Sequence, residues 1–286
     1  MIGQKRLVER LRGEFERHSP LVLIVGPLGG GKVTVVREAS SYSVVQIERG
    51  AKVQAVREMI ETAYKISTPT VVLVPDADRM SVDAKNSLLK IVEEPPKNVT
   101  FVLTAVNNSG ILETLRSRAH SYVMEPYTDE QMSEYIRNNF EVDDSTITIL
   151  KDICYVPGDV NRFFSGVTAV DLSDSVKEFF KFVYSVVDNV AKVSGANAFK
   201  ISDRVKMKLD DSDKYELDFF WRAFAKVCYD RAEMLYDIED ADPVEMNKYL
   251  SVAVYTQGQA QLAQNVSFNR QMLFDSWVIE VRKVWR

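Results

Sequence analysis

The chain has 286 residues, of which 46% are hydrophobic and 27% are charged. This length suits two or three compact units, and this composition excludes a disordered, fibrous or membrane protein. The net charge of -5 argues against a protein that grips nucleic acid over its whole surface, because such proteins need an excess of Lys and Arg. Any contact with DNA is therefore expected to be local or shared with partner proteins.

The N-terminal residues and the cysteines indicate a cytoplasmic protein. Residues 1–20 have the charged, amphipathic pattern of a helix, and no apolar run in the sequence approaches the ~20 residues that cross a membrane. Cys154 and Cys228 are the only cysteines, and they form no C-x-x-C pair. The sequence therefore offers neither a disulfide framework nor a zinc knuckle, and it suits a reducing compartment.

Residues 1 to about 125 have the pattern of an α/β fold. Strand-like apolar runs alternate with helical stretches, which predicts a parallel sheet with helices on both faces. Pro95 and Pro96 end the second helical stretch, because proline lacks the backbone donor that a helix needs. The predicted strands are Leu21–Val25, Thr70–Val74 and Val99–Leu103, and the predicted helices include one from Lys32 onward and one over Ser81–Glu94.

Strand signals end at Glu125-Pro126, and the rest of the chain has helical patterns. Thr128 is placed to cap the first of these helices. We expect three domains: an α/β nucleotide-binding-like domain over 1–126, a small helical domain over 127–173 and an all-α domain over 174–286. Aromatic residues recur in the last domain at helical spacing and are expected to fill its core. They include Phe179, Phe180, Phe182, Phe219, Phe220, Trp221, Phe224, Phe274 and Trp277.

A glycine-rich segment after the first strand fits the G-x-x-x-x-G-K frame of a phosphate-binding loop, and it lies between a strand and a helix as that motif requires. Gly26, Gly29 and Gly31 let backbone N–H groups turn toward a phosphate, and the helix N-terminus adds partial positive charge. Lys32 would reach the outer phosphates. These four residues are the candidate nucleotide-binding residues.

The residue after the lysine departs from this motif. The motif requires Ser or Thr there to place a hydroxyl on Mg²⁺, and this chain has Val33. Thr34 does not replace it, because one step along a helix rotates a side chain by about 100°. The sequence therefore predicts a degenerate loop that binds ATP or ADP, if it binds them, without hydrolysis and without a metal ion.

The run NSLLKIVEEPP from Asn86 to Pro96 resembles the N-A-L-L-K-x-L-E-E-P-P run of bacterial clamp-loader gamma/tau and delta-prime subunits. Other segments resemble motifs of the same family in the same order. Ile2-Gly3-Gln4 resembles its G-Q element, Phe101–Thr104 resembles its sensor-1 strand, and Leu115–Ala119 resembles its S-R-C motif. The chain thus resembles the bacterial and phage clamp-loader AAA+ family, most closely the delta-prime subunit of DNA polymerase III. The resemblance implies a P-loop AAA+ domain, a helical lid and a C-terminal oligomerisation (collar) domain.

The resemblance also marks altered positions. When the chain is aligned on Asn86, the Walker B Asp-Glu of active family members falls on Pro75-Asp76, and a shift of one residue puts Asp76 at the first position. Either alignment lacks one of the carboxylates that hold Mg²⁺ or polarise water. Asn161 stands where the family has its sensor-2 Arg, and neighbouring Arg162 is either a substitute for it or a solvated helix residue.

Arg118 keeps the family residue. In the S-R-C motif this arginine reaches the nucleotide of the neighbouring subunit, where a guanidinium stabilises the transferring phosphoryl group. The resemblance therefore implies that Arg118 is a trans-acting arginine finger, and the alternative is a surface ion pair. The segment Ser41–Ile66 lacks the four-cysteine zinc module that delta-prime subunits often carry, so no zinc is expected.

The leading hypothesis is a stator-like, non-hydrolysing delta-prime-type subunit of the DNA polymerase III clamp loader. The resemblance implies a pentameric ring with gamma/tau-like and delta-like subunits, which loads a sliding clamp on primed DNA during DNA replication. Such a subunit is not an active ATPase by itself. Two alternatives stay open: an active gamma-type ATPase that uses Thr34 and Asp76, and a diverged AAA+ interaction module.

Overall fold

The computed structural model describes residues 2–165, 172–192, 197–210, 217–238, 241–263 and 270–285. The chain divides into two compact units, Met1–Gln131 with Val156–Gly158 and Met132–Tyr155 with Asp159–Arg286. The first unit contains the whole sheet. The division into three domains over 1–126, 127–173 and 174–286 stays a prediction.

In the first unit helices and strands alternate along the chain. The strands are β1 (Leu21–Val25), β2 (Ser43–Gln46), β3 (Thr70–Val74), β4 (Val99–Ala105) and β5 (His120–Val123). The helices are α1 (Lys5–Glu16), α2 (Lys32–Ala39), α3 (Val53–Ala63), α4 (Val82–Ser87), α5 (Leu89–Glu93) and α6 (Glu113–Arg116). Single 3₁₀ turns cover Ala77–Arg79 and Asn108–Gly110.

The five strands form one parallel sheet in the order β2-β3-β4-β1-β5. The three inner strands are buried along their whole length, whereas the edge strands β2 and β5 are mostly exposed. Because all strands run in one direction, the loops that follow them meet along the side of the sheet formed by the carboxyl ends of the strands. The loops that precede the strands lie along the opposite side, at the amino ends. This arrangement confirms the predicted parallel sheet.

Alternate side chains of the inner strands face opposite layers of helices. On one face Val22 and Ile24 belong to a core cluster with residues of α1 and α2. On the other face Leu21 and Leu23 belong to a cluster with residues of α3 to α6. Helices therefore cover both faces, as the sequence predicted.

The predicted helix over Ser81–Glu94 is interrupted at Leu88, between α4 and α5. The Leu88 N–H donates to the Lys85 carbonyl, and the Ile91 N–H donates to the Leu88 carbonyl. These bonds span three residues instead of four and tighten the chain locally. The prediction of one continuous helix is wrong at this point.

The first helix after the sheet, α7 (Asp129–Asn139), begins with the predicted cap. Thr128 Oγ1 accepts a bond of 3.3 Å from the Gln131 N–H, and Gln131 Oε1 accepts one of 3.1 Å from the Thr128 N–H. This reciprocal pair is a capping box, which satisfies two backbone donors at the helix start.

The second unit is helical in the residues that the structure describes. Its helices are the rest of α7 and α8 (Asp144–Ile153), α9 (Pro157–Phe163, which enters it at Asp159), α10 (Leu172–Lys192), α11 (Ala198–Asp210), α12 (Leu217–Tyr236), α13 (Pro243–Ala263) and α14 (Arg270–Trp285). Within the described ranges, no helix is long and apolar enough to span a membrane.

Aromatic rings fill the core of the second unit, as the sequence predicted. The Trp221 and Trp277 rings lie 4.8 Å apart, and both side chains are fully buried. The Trp277 Nε1–H donates to Thr256 Oγ1 at 3.0 Å, so its polar edge is satisfied inside the core. Of the aromatic residues singled out in the sequence, Phe182 alone is half-buried and the others are buried.

Candidate functional site

The glycine loop joins the carboxyl end of β1 to the first turn of α2. Gly29 and Gly31 have φ angles of 75° and 85°, which glycine adopts at no steric cost. The Gly30 N–H donates to the Pro27 carbonyl at 3.1 Å and closes a turn within the loop. The strand, loop and helix thus follow one another as a phosphate-binding loop requires.

Lys32 is buried, and the glycine loop itself binds its ammonium group. Nζ donates to the carbonyl oxygens of Gly26 and Pro27 at 2.7 and 2.8 Å. Burial lowers the pKa of this ammonium, and the Asp76 and Asp78 carboxylates nearby oppose that shift. An ammonium has three protons to donate, so one remains for a phosphate while two are bound to these carbonyls.

The Asp76 carboxylate, which follows β3, is paired with a cation from the chain itself. Its Oδ2 lies 3.1 Å from Arg49 Nη1, and its backbone N–H donates to Thr104 Oγ1 at 3.2 Å. Thr104 belongs to the predicted sensor-1 strand, which is β4. Arg49 could not be identified from the sequence, because it lies 27 residues from Asp76 in the loop after β2 and belongs to no short motif.

The absence of a Mg²⁺ ion at the glycine loop stays a prediction, and three side chains bear on it. The Val33 side chain has no oxygen, and it packs against the core cluster that contains residues of α1 and α2. Thr34 is exposed on α2, and the Asp76 carboxylate is paired with Arg49. Mg²⁺ requires oxygen ligands in near-octahedral geometry. In the described ranges no group of three or more His, Cys, Asp or Glu could hold a metal ion.

Gly158, in the predicted sensor-2 segment, packs backbone to backbone against Gly29. Its N–H donates to the Gly29 carbonyl at 2.9 Å. A Cβ added to Gly158 would lie 2.3 Å from the Gly29 Cα, and a Cβ added to Gly29 would lie 2.9 Å from the Gly158 Cα. The close approach therefore requires glycine at both positions.

The G-Q element at the N-terminus is connected to the glycine loop through Tyr127. Gln4 Nε2 donates to the Glu125 carbonyl at 2.6 Å, and Gln4 Oε1 accepts from the Glu125 N–H at 3.2 Å. A Cβ added to Gly3 would meet the Tyr127 ring at 3.0 Å, and the Tyr127 hydroxyl donates to the Gly30 carbonyl at 2.9 Å. Tyr127 thus contacts both segments.

Asn161 and Arg162 lie in the part of α9 that belongs to the second unit. Asn161 Oδ1 accepts a bond of 2.9 Å from the Tyr135 hydroxyl. Arg162 Nη2 donates to carboxylates of Asp159 and Asp218 at 2.8 and 3.2 Å. Arg162 is therefore not a solvated helix residue, and that alternative is wrong. A contact between Arg162 and a phosphate stays a prediction.

Arg162 belongs to a buried ion network that the sequence analysis missed. The Arg222 side chain is 8% exposed, lies 2.7 Å from the Asp159 carboxylate and 3.0 Å from the Asp218 carboxylate, and donates to the Ile153 carbonyl at 2.8 Å. Two guanidinium groups thus balance two carboxylates. The pairs Asp159–Arg162 and Asp218–Arg222 have helical spacing, but no short-range pattern could show that they join, because Asp218 lies 56 residues from Arg162.

Arg118 lies in the short loop between α6 and β5. Its side chain is exposed, its Nη1 donates to the Thr114 carbonyl at 3.1 Å, and among the described residues it has no carboxylate partner. His120 pairs with Val22 and Val123 pairs with Val25, so the loop that enters β5 lies at the edge of the sheet where β1 starts. The glycine loop leaves β1 at the other edge, about 13 Å away at ~3.3 Å per residue.

Comparisons with known proteins identify similar replication proteins. A family model described as the delta subunit of DNA polymerase III matches residues 26–128. The replication factor C small subunit of Aeropyrum pernix is 28% identical over 163 residues, which are 50% of this chain and 50% of that protein. The DNA polymerase III subunit gamma of Buchnera aphidicola is 25% identical over 193 residues, 53% of each protein.

The chain spans about half the length of these two curated relatives. Among solved structures, a DNA polymerase III gamma subunit-related protein from Thermotoga maritima aligns with 98% of this chain and 99% of its own, at 15% identity and a TM-score of 0.49.

Proposed function

Because these matches support a clamp-loader AAA+ family for this chain, we propose that it is a delta-prime-type subunit, which supplies Arg118 to a neighbouring ATPase subunit and hydrolyses no ATP itself. The proposed assembly is a pentameric ring with gamma/tau-like and delta-like subunits, which loads a sliding clamp on primed DNA. The observation that carries the proposal is that Arg118 is exposed at the amino ends of the strands, whereas the chain's own glycine loop lies at their carboxyl ends.

The position of Arg118 supports action in trans. A side chain that precedes β5 cannot reach a phosphate at the carboxyl end of β1, because the length of the strand lies between them. A neighbouring subunit that placed its nucleotide at this edge would meet an exposed guanidinium. Such a group stabilises the charge on the transferring phosphoryl and contributes on the order of 10³–10⁵ in rate in well-studied cases.

The residues that follow β1 and β3 support the absence of hydrolysis. Val33 supplies no metal ligand, Pro75 supplies no carboxylate, and Asp76 is paired with Arg49. Hydrolysis needs both a bound metal and a group that orients water, and loss of a positioned base alone costs about 10²–10⁴ in rate.

We further propose that the loop binds ATP or ADP weakly and without Mg²⁺. The chain has the glycines and the lysine that bind phosphate in such a loop, although Lys32 is bonded to two carbonyls. Calorimetry with each nucleotide, with and without Mg²⁺, measures this. Binding that tightened strongly with Mg²⁺ would contradict the proposal.

The arginine finger is tested in the assembled complex, with gamma/tau-like and delta-like subunits from the same genome. Arg118→Ala should remove the part of the DNA-stimulated ATPase rate that comes from the nucleotide site of the neighbouring subunit. The matched control is Arg116→Ala, because Arg116 is also exposed and is the last residue of α6, close to Arg118 in the chain, with a long bond of 3.5 Å to the Asn108 carbonyl. Equal rates for Arg118→Ala and Arg116→Ala would show that Arg118 is not the finger.

Two further outcomes distinguish the alternatives. ATP turnover by the isolated chain that Lys32→Ala abolishes would identify an active ATPase. Failure to join any clamp-loader complex, with the chain folded, would identify an interaction module of another kind.

A further inference from the structure

The start of the edge strand β5 is less constrained than its end, where Met124 is buried in a core cluster and Glu125 is bonded to Gln4. The strand is four residues long, among the described strands it pairs with β1 alone, and three of its four side chains are exposed. A strand of this kind can slip in register, and a slip of one residue turns every side chain to the other face. The loop that carries Arg118 enters this strand directly.

A buried carboxylate on α1 binds β5 from the side. Glu14 is 3% exposed. Its Oε2 accepts from His120 Nδ1 at 2.7 Å, and its Oε1 accepts from the Tyr122 hydroxyl at 2.6 Å. His120 and Tyr122 are two residues apart, so they point to the same side of the strand. Glu14 therefore contacts the first residue of β5 and the next residue on that face.

The same carboxylate also binds the chain next to α1. Ser19 Oγ donates to Oε2, and Arg17 Nη2 donates to Oε1 at 2.9 Å. Although burial alone would raise the pKa of Glu14, the bonds from Ser19, Tyr122, His120 and Arg17 lower it to about 2. Glu14 is thus an ionised acceptor that joins α1, the segment before β1 and the start of β5.

The other end of the Arg118 loop is fixed by α6. The backbone N–H groups of Arg118 and Ala119 both donate to the Leu115 carbonyl, at 3.2 and 3.0 Å, and the Leu115 side chain is fully buried. Arg118 therefore lies between two fixed points, the Leu115 carbonyl and His120.

We propose that Glu14 is a positioning residue for Arg118, because its bonds to His120 and Tyr122 hold β5 in register and so fix the loop that presents the guanidinium. This inference rests on the proposed function, in which Arg118 serves a neighbour's nucleotide. A displacement of about 1 Å at a catalytic group can cost on the order of 10² in rate, so modest loosening of β5 is enough to matter.

The test uses the full chain in the assembled clamp-loader complex. The Arg118-dependent rate is defined as the ATPase rate that Arg118→Ala removes. We expect His120→Ala and Glu14→Gln to remove about nine tenths of it, by displacement of the guanidinium. The matched control is Arg17→Ala, which removes a donor to the same carboxylate but leaves both bonds to β5 intact, and it should retain the full rate.

Two readouts separate positioning from a general loss of structure. In the Arg118→Ala background, His120→Ala should lower the ATPase rate no further, whereas a structural defect would lower it again. In the isolated full chain, amide hydrogen exchange over residues 118–123 should rise in His120→Ala and Tyr122→Phe and stay unchanged in Arg17→Ala. His120→Ala and Tyr122→Phe provide this test even if Glu14→Gln does not fold.

The outcomes distinguish this inference from the function on which it rests. If Arg118→Ala lowers the rate while His120→Ala and Glu14→Gln keep it, the positioning role is overturned and the finger stands. If exchange over 118–123 does not change in His120→Ala, the positioning role is also overturned. If Arg118→Ala has no effect on the rate, both proposals fall.

Discussion

The guanidinium of Arg49 lies 3.1 Å from the carboxylate of Asp76, and the two residues follow the neighbouring strands β2 and β3. Asp76 is buried, whereas Arg49 is more than half exposed. The chain thus supplies its own counter-charge for a carboxylate at the end of β3.

We expect Arg49→Ala to lower the free energy of unfolding by about 1 kcal/mol, because a buried carboxylate loses its paired cation, although the exposure of Arg49 limits the effect. Urea unfolding followed by circular dichroism measures the change. Arg57→Ala is the control, since Arg57 is exposed on α3, and it should change the value by less than about 0.5 kcal/mol. Equal effects of the two variants would contradict the assignment.

Gly158→Ala should destabilise the protein by more than about 2 kcal/mol, because its Cβ would lie 2.3 Å from the Gly29 Cα and the backbones must move apart. Thermal unfolding measures the loss. Gly258→Ala provides a contrast: Gly258 lies inside α13, and beyond the helix's own backbone no atom lies within 4 Å of an added Cβ, so alanine should stabilise by up to about 1 kcal/mol. A neutral Gly158→Ala would refute the close approach.

Glu14 should make stability depend on pH at the acid end. Its folded-state pKa is about 2 and its ordinary value is 4.5, so its contribution is fully present above pH 4.5 and is lost as the pH falls toward 2. The shift corresponds to about 3 kcal/mol at pH 7, of which more than half is lost by about pH 3.

The gap in unfolding free energy between the wild type and Glu14→Gln should therefore narrow as the pH is lowered from 7 to 3. Denaturant titrations at both pH values measure it. Glu16→Gln is the matched variant, because Glu16 is exposed two residues further along the same helix. If the difference in unfolding free energy between the wild type and Glu14→Gln stayed constant between the two pH values, an ionised Glu14 carboxylate in the folded protein would be ruled out.

Arg222→Ala should cost about 3–5 kcal/mol of stability, because it leaves the buried carboxylates of Asp159 and Asp218 with one partner fewer. Arg137→Ala breaks an exposed pair with Asp144 and should cost less than about 1 kcal/mol. Thermal unfolding of both variants makes the comparison. Similar losses would mean that the network around Arg162 is not buried in solution.

The inner strands of the sheet could be predicted from the sequence, and the edge strands could not. Thr70–Val74 and Val99–Ala105 are buried on both faces, so they appear in the sequence as continuous apolar runs. Ser43–Gln46 and His120–Val123 have one neighbour each and mostly exposed side chains, so no apolar run marks them. The interruption at Leu88 had no proline or glycine to signal it.

In the candidate site, features that depend on adjacent residues could be predicted from the sequence, and contacts between distant residues could not. The turn at Gly29 and Gly31 and the missing hydroxyl at Val33 follow from adjacent residues and were readable in the sequence. The pair of Arg49 with Asp76 joins residues that are far apart in the chain, and so does the contact of Gly158 with Gly29. Contacts of that kind depend on the sheet order, which no short motif specifies.

The parallel pairing of β1 and β5 has a consequence for assembly order. Under the proposed role, each subunit of this fold presents an arginine at one sheet edge and accepts an arginine at the other, so contacts between subunits run head to tail. In this chain the accepting edge carries Val33 and the Arg49–Asp76 pair, while the presenting edge keeps Arg118. Under that role the ring of subunits has a direction, in which this chain gives an arginine to one neighbour and itself hydrolyses no ATP.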